Sequence, residues 1–421
     1  MTDLIQKKLS NGIRVFYYAD KSLKRVYASI SVDYGSDGFY DNFIYNNKKY
    51  HTKPAMAHFL EHYLIENSRL GNMLHRYSEK SYISNGLTDT DVTTYYFVGI
   101  DSKKNIYTSI HELLDMIEKP VFTKENIDKT KYSICEELTG TKDDRYQIAF
   151  SNNRHNLHTA YDPVPVANNV LGTIDTTMSI TLEDAKACYD AYYNDESKFI
   201  VIAGNININK VHALLESYYK KIGHHTNLIK SYPYPEDIGV RHKLEIIEMP
   251  ADADIVYNSF KFPIDEKNSL FEQAFYLQTY MKIKLGNSKQ EIEALKVNKF
   301  ISGTIGFTNG YFKGMTDVVV YYESYKSKSS VKKIEEILNN KKYSKKEFEL
   351  HKKDAIVNDI KERDFVYSAF IYFPFKLAFS NKIDNIKDYN SFTYEKYKKF
   401  ISKIDFKFET TTIVTKKRIR K

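Results

Sequence analysis

The sequence predicts an α+β protein built from two similar halves joined by a linker. In the first half, apolar patterns typical of strands alternate with patterns typical of helices, up to about residue 225. A comparable order of strands and helices begins again at about residue 243. Between them, the stretch 231–237 is rich in Pro and Tyr, as inter-domain linkers often are. We therefore expect domains at 1–225 and 241–421, separated by a linker at 226–240.

The first half begins with a predicted hairpin over residues 7–18. Asn11-Gly12 supplies the positive φ angles that a tight turn between two strands needs. Alternation over 26–34 indicates another strand, and the polar stretch 35–53 is expected to be a loop. Further strands are expected at 92–99 and 199–204, with helices at 54–65, 105–118, 123–157 (N-capped by Thr123) and 181–193 (N-capped by Thr181).

The second half repeats this order of elements. Period-2 and helical patterns distinguish its strands from its helices. Strands are expected at 243–249, 255–262, 303–307 and 316–323, and helices at 268–285, 331–339 and 345–360.

The composition is that of a folded protein without a membrane span. The chain has 421 residues and a net charge of +8, but its 62 basic residues are interleaved with 54 acidic ones. Apart from a basic tail at 416–421, which we interpret as a solvated terminus, no dense cationic segment suggests a nucleic-acid partner. No apolar run approaches 18 residues, and two cysteines make no disulfide framework. We expect a cytoplasmic protein that binds neither nucleic acid nor membrane.

The most informative residues lie on the helix that opens at Pro54. His58 and His62 are four residues apart, with Glu61 between them, so the three side chains leave one face of the helix. Two imidazoles at this spacing can bind one metal ion, while the Glu accepts a proton from a coordinated water. The alternative is a surface helix that carries two solvated histidines.

A catalytic zinc ion needs a third protein ligand and an open position. Glu136 and Glu137, on the helix predicted to begin near Thr123, are the candidates. Only one member of an adjacent pair can face a given partner. Their apolar neighbours do not decide which of the two is the ligand.

These residues resemble the family of pitrilysin, insulin-degrading enzyme and mitochondrial processing peptidase, zinc metallopeptidases with the inverted motif His-x-x-Glu-His. The similarity covers nearly all of residues 1–210 and continues more weakly to the end. The other segments that carry it are Ser84-Asn85-Gly86-Leu87-Thr88, Thr94-Tyr95-Tyr96-Phe97, Leu171-Gly172-Thr173, Ile180-Thr181-Leu182-Glu183-Asp184 and Ala203-Gly204-Asn205.

The resemblance implies one Zn²⁺ per chain in the domain 1–225 and two homologous α/β-sandwich halves, each an antiparallel sheet with helices on one side, that form half of a clam-shell. It implies Glu61 as the general base, and it selects Glu137 as the third ligand beside His58 and His62, because the family's ligand directly precedes the position of Leu138. It also implies that Asn85 and Gly86 lie on a strand edge that pairs with an extended peptide. For Asn85, a turn residue that bonds its own backbone is the alternative.

Two departures from the family pattern bear on activity. Thr130 stands where many relatives carry a Glu seven residues before the ligand Glu. Lys296 and Gly303 stand where relatives carry an Arg and a Tyr that reach the substrate carbonyl. In this family, such a loss is typical of short two-chain bacterial members, some of which process precursor peptides.

The resemblance thus implies a zinc endopeptidase subunit for small or unfolded peptides. A paralogous partner in a heterodimer would supply the Arg/Tyr pair. The second hypothesis is a non-catalytic metal-binding structural subunit of such a complex.

Overall fold

The computed structural model describes residues 4–36, 42–89, 92–100, 102–141, 143–158, 170–226, 239–265, 267–312, 315–364, 373–374 and 386–416. They form two compact units with one sheet in each, which confirms the predicted fold class of two α+β halves. The predicted linker lies almost wholly outside the described residues, as does all but the first residue of the basic tail.

Thirteen strands are present in the described residues. Their bounds are β1 Ile5–Lys8, β2 Arg14–Ala19, β3 Val26–Val32, β4 Asn42–Tyr45, β5 Lys48–His51, β6 Ile83–Thr88, β7 Thr93–Gly99, β8 Lys198–Gly204, β9 Leu244–Glu248, β10 Asp254–Pro263, β11 Ser302–Phe312, β12 Met315–Ser324 and β13 Thr410–Thr415.

The α-helices are numbered in the same way over the described part of the chain. Their bounds are α1 Met56–Glu66, α2 Met73–Ser78, α3 Lys103–Glu118, α4 Lys124–Thr141, α5 Arg145–His158, α6 Ile174–Met178, α7 Leu182–Tyr192, α8 Ile208–Ile222, α9 Leu270–Leu285, α10 Gln290–Val297, α11 Ser327–Asn339, α12 Lys345–Asp364 and α13 Tyr394–Ser402. None of the helices that the structure describes is long and apolar enough to cross a bilayer.

The first unit contains a six-stranded sheet in the order β1-β2-β8-β3-β7-β6. All neighbours are antiparallel except β2 and β8, which are parallel. Every residue of β3, β7 and β8 is buried. One face of the sheet packs its main core against helices that include α1, α3, α7 and α8, and the other face carries a second apolar cluster that includes Tyr27, Tyr96 and Phe199. Strand β6 lies at the edge of this sheet and contacts α1.

The second unit repeats this topology with the sheet β11-β12-β10-β13-β9. Strands β9 and β13 are parallel, as β2 and β8 are, and the remaining pairs are antiparallel. In chain order, β9 to β13 therefore correspond to β2, β3, β6, β7 and β8. This correspondence explains why the sequence pattern of the first half is echoed in the second.

The single helix predicted for 123–157 is wrong, since two helices occupy this stretch. Helix α4 ends at Thr141, and α5 begins at Arg145. The Asp144 carboxylate accepts hydrogen bonds from the backbone N–H groups of Tyr146 and Gln147, an N-cap that marks the start of the new helix.

Helix α5 belongs to the second unit, although it lies within the predicted domain 1–225. The side-chain amide of Asn153 donates to the Tyr257 carbonyl at 3.0 Å and accepts from the Ser259 hydroxyl at 2.7 Å. The units therefore do not follow chain order as the predicted domains do. An amphipathic pattern predicts that a helix has a buried face, but not which sheet that face will meet.

The polar stretch expected to be a loop contains the hairpin β4–β5, so that expectation is wrong for residues 42–51. Asn46 and Asn47 both have positive φ, as a tight hairpin turn requires. Phe43 is buried and stacks on Tyr50 at 5.5 Å between ring centroids.

Candidate metal centre

Helix α1 carries three residues of the predicted site on a buried face. It begins at Met56, two residues later than predicted, because Ala55 has a left-handed backbone with φ 73°. His58 and Glu61 are each only 6% exposed, and the His62 side chain is 23% exposed. This burial contradicts the alternative in which the two histidines are solvated.

Helix α4 is docked on α1 through the Tyr63 side chain. The Tyr63 hydroxyl donates to the Val121 carbonyl at 2.7 Å and accepts from the Thr123 N–H at 3.0 Å. Thr123 then caps α4, as predicted, by accepting from the Asn126 N–H at 3.1 Å. The start of α4 is thereby fixed against the helix that bears the histidines.

This docking brings Glu137 to the histidine pair. Its Oε2 lies 3.6 Å from Nε2 of His58 and 3.4 Å from Nε2 of His62. Ligands about 2.0–2.1 Å from a tetrahedral zinc ion are separated by about 3.3 Å, so both distances fit zinc. The three candidate ligand atoms all lie within 4.8 Å of one another. Glu136 and Glu137 are both exposed, but it is Glu137 whose carboxylate lies beside the two imidazoles, which favours Glu137 over Glu136 as the candidate third ligand.

The two imidazoles have opposite protonation preferences. Burial, aided by the charge of His62, lowers the pKa of His58 to about 4. Burial also acts to lower the pKa of His62, but hydrogen bonds to Glu137 and Glu66 outweigh it and raise that pKa to about 10. A bound metal requires neutral imidazoles, so metal binding must displace the His62 proton.

Glu61 is buried beside strand β6. Its Oε2 accepts a hydrogen bond from the Thr88 hydroxyl at 2.5 Å. Burial raises the pKa of Glu61 to about 7, while the Thr88 bond and the charge of His62 act in the opposite direction. A carboxylate in this environment can accept and return a proton near neutral pH.

The two predicted substrate-binding residues are adjacent on β6 and point to opposite faces of the sheet. Gly86 faces Glu61, and Asn85 is exposed and pairs with Tyr96 of β7. Asn85 therefore lies within a strand and not in the turn that the alternative required. Among the strands that the structure describes, β6 pairs only with β7, so no described strand covers its outer edge.

The sequence interpretation missed two residues of this site, Thr88 and Glu66. Thr88 lies two residues beyond Gly86, on the same face of β6. Glu66 lies four residues after His62 on α1, and its Oε1 accepts from Nδ1 of His62 at 3.1 Å. Both spacings were visible in the sequence, but strand pairing and helix docking were needed to give them a partner.

The departures from the family pattern have simple local roles. Thr130 is buried on α4, where its hydroxyl accepts from the Asn67 side chain at 3.0 Å. The Lys296 ammonium, on α10 of the second unit, lies 2.8 Å from the Glu293 carboxylate of its own helix. Gly303 has φ 69° and lies in β11.

Two family models match this chain. One described as Insulinase (Peptidase family M16) matches residues 15–174, and one described as Peptidase M16 inactive domain matches residues 179–285.

Proteins similar to this chain in sequence carry peptidase names, in agreement with the family matches. The zinc protease YmfH of Bacillus subtilis, itself named as uncharacterized, is 24% identical over 310 residues, which is 72% of this chain and 70% of that protein. A protein named as a probable mitochondrial-processing peptidase subunit beta from Arabidopsis thaliana is 24% identical over 218 residues, 51% of this chain. The chain spans 38% of the length of that Arabidopsis protein.

The fold also has solved counterparts. The M16-like peptidase from Alicyclobacillus acidocaldarius has a TM-score of 0.85 to this chain at 18% sequence identity. The match covers 99% of this chain and 98% of that one. At this identity the likeness concerns the fold alone.

Proposed function

Because the chain belongs to the M16 family of insulinase-type peptidases, we propose that it is a zinc-dependent endopeptidase subunit that hydrolyses small or unfolded peptides. Family membership is what the motif resemblance implied, and the family matches confirm it. The observation that carries the proposal is the convergence of His58, His62 and Glu137 from two helices, with buried Glu61 beside them.

In this proposal, the two histidines and Glu137 hold one Zn²⁺ per chain. When bound, zinc acts as a Lewis acid that acidifies water and polarises the substrate carbonyl. Glu61 accepts the proton of the attacking water and passes it to the leaving nitrogen. Thr88 donates to Oε2 of Glu61 and so orients its carboxylate for these transfers.

The substrate is proposed to bind as an extended strand along β6, at Asn85 and Gly86. The open edge of β6 beside Glu61 supports this, because an added strand forms main-chain hydrogen bonds that demand little of the peptide sequence. Such pairing requires an extended backbone, which small or unfolded peptides can adopt and folded proteins generally cannot.

The chain is further proposed to act with a paralogous partner in a heterodimer. The resemblance places Lys296 and Gly303 at the positions where family members carry the Arg/Tyr pair, and on that placement this chain would lack that source of carbonyl stabilisation. The role we propose for this heterodimer is the processing of precursor (leader) peptides in the cytoplasm. Neither Cys135 nor Cys188 is part of a disulfide, which fits a reducing compartment.

A non-catalytic metal-binding structural subunit is the second candidate. It is favoured by the same two departures and by the match of residues 179–285 to a model described as an inactive domain. A structural subunit would not require a buried Glu61 held by Thr88, and this feature favours the enzyme.

The proposal can be tested with a peptide library. The chain would be assayed alone and with a paralogous partner, after removal of metal by a chelator and again after stoichiometric Zn²⁺. We expect zinc-dependent cleavage that increases strongly with the partner. Metal binding without turnover in either setting would favour the structural subunit, and cleavage that survives metal removal would contradict both candidates.

A further inference from the structure

Glu66 joins the two helices that carry the candidate ligands. It is the last residue of α1, and its Oε1 accepts from Nδ1 of His62 at 3.1 Å. The same oxygen accepts from the Ser133 hydroxyl of α4 at 2.9 Å. Ser133 lies one turn before Glu137 on that helix, so a single carboxylate oxygen contacts both ligand-bearing elements near their ligands.

The hydrogen bond that Nδ1 of His62 donates to Glu66 determines which nitrogen of the His62 ring can bind the metal. When Nδ1 carries a proton that is donated to Glu66, the lone pair of the neutral ring lies on Nε2. This Nε2 is the atom 3.4 Å from Oε2 of Glu137. A carboxylate in this position holds the ring in one orientation and makes it a more basic ligand.

The second histidine lacks such a partner. Nδ1 of His58 is buried and has no hydrogen-bond partner among the described residues. The His58 ring is therefore held by packing. Of the two imidazoles, His62 is the one that a hydrogen bond from Nδ1 orients. Position 130 supplies no carboxylate either, because it is a threonine, whose hydroxyl accepts from the Asn67 side chain.

We propose that Glu66 is a positioning residue of the metal centre, which orients His62 and, through Ser133, aligns α4 so that Glu137 meets the same ion. This inference rests on the proposed zinc site. Glu66 itself is proposed to contact neither metal nor substrate. It acts through His62 and Ser133.

The test measures the zinc dissociation constant by competition with a chromophoric chelator, on the full chain. We expect Glu66→Ala to weaken zinc binding by about 10- to 100-fold, as loss of such an outer carboxylate does elsewhere. Glu66→Gln keeps an acceptor for the His62 N–H and should lose less. Ser133→Ala, which leaves the His62 bond in place, should lose least.

Glu136→Gln is the matched control, because it removes an exposed carboxylate from α4 without touching His62. Its dissociation constant should stay within about twofold of wild type. The visible absorption of the Co²⁺-substituted protein adds a readout of ligand geometry. It should change in Glu66→Ala and not in the control.

The outcomes separate this inference from the proposed function. If the wild type binds zinc and Glu66→Ala binds it within twofold as tightly, with an unchanged Co²⁺ spectrum, the role of Glu66 is refuted while the zinc site stands. If the wild type binds no zinc, both the role of Glu66 and the proposed zinc site are refuted. Should Glu66→Ala fail to fold, Glu66→Gln is compared with Glu136→Gln: a loss confined to Glu66→Gln supports the inference, and equal affinities refute it.

Discussion

Glu61 and Gly86 lie in such close contact that no larger residue fits opposite the carboxylate. A Cβ on Gly86 would lie 2.4 Å from Oε1 of Glu61 and 2.7 Å from the terminal Cδ1 of Ile65. The other carboxylate oxygen accepts the Thr88 hydroxyl. The edge strand and the proposed base are therefore packed directly together, and a side chain at position 86 must displace Glu61.

Gly86→Ala should displace Glu61 and reduce peptide cleavage by at least about tenfold. The added methyl group meets both a carboxylate and a packed Ile, and overpacking of this kind destabilises a protein by roughly 1–3 kcal/mol. Turnover and chemical denaturation measure the two effects. Gly140→Ala is the control, since a Cβ there meets nothing within 4 Å. Equal behaviour of the two variants would contradict the packing argument.

Thr88→Val should lower turnover by about tenfold while zinc content stays at the wild-type value. The variant keeps the side-chain shape but removes the donor to Glu61, and a hydrogen bond to a charged group contributes roughly 1.5–3 kcal/mol. Thr88→Ser retains the hydroxyl and should recover most of the activity. Metal analysis on the same samples separates loss of the base's orientation from loss of the ion.

Glu137→Gln should weaken zinc binding by more than about 100-fold, because a neutral amide replaces an anionic ligand. Glu136→Gln changes the neighbouring residue in the same way and should bind zinc normally. The measurement is the dissociation constant by chelator competition. If Glu136→Gln were the weaker binder, the assignment of the third ligand would have to be reversed.

Stability of the second unit should decline in acid because of Asp317. Asp317 is buried, 3.7 Å from Nε of Arg154 and 3.4 Å from Nε2 of His158. Burial acts to raise the pKa of Asp317, but the Arg154 charge and the His158 bond hold that pKa well below its usual range. Burial lowers the pKa of His158, although Asp317 opposes this and the charges of Arg154 and Lys261 support it.

Both pKa shifts make the free energy of unfolding smaller as the pH falls. His158 binds a proton more readily in the unfolded chain, so the free energy of unfolding falls as pH drops below ~6.5. The Asp317 carboxylate stabilises the fold at pH above ~3.9, and this contribution is lost as the pH falls further.

Asp317→Asn should therefore destabilise the protein by about 3 kcal/mol at pH 7, because it leaves buried positive charge without its partner. The difference from wild type should shrink towards pH 3. Urea denaturation across this pH range measures it. Asp354→Asn removes an exposed carboxylate 4.0 Å from His351 and should change stability by less than about 0.5 kcal/mol. A pH-independent difference for Asp317→Asn would contradict the linkage.

The local parts of the site could be predicted because they depend on spacing along one element. His58, Glu61 and His62 share a face of α1 through helical periodicity alone. The role of Glu137 required the docking of α4 on α1, which one sequence does not contain, and only a family resemblance selected it over Glu136. Thr88 was missed for the same reason, since its partner comes from a packed helix.

The division of the chain into units was harder to predict than its elements. The hydrogen bonds of Asn153 on α5 are made with strand β10, more than a hundred residues away in sequence. Local patterns carry no information on such pairings. The hairpin at Asn46 and Asn47 was missed because its polar surroundings outweighed a turn signal that two adjacent Asn residues do provide.

The central claim is that Glu61 is the base of a zinc peptidase, and Glu61→Gln tests it most directly. Zinc stoichiometry and peptide turnover should be measured on the same preparations of wild type and variant, with the partner present. We predict one zinc per chain in both, and turnover lower by about 10²–10⁴-fold in the variant. A variant that retains zinc and cleaves at the wild-type rate would contradict the mechanism.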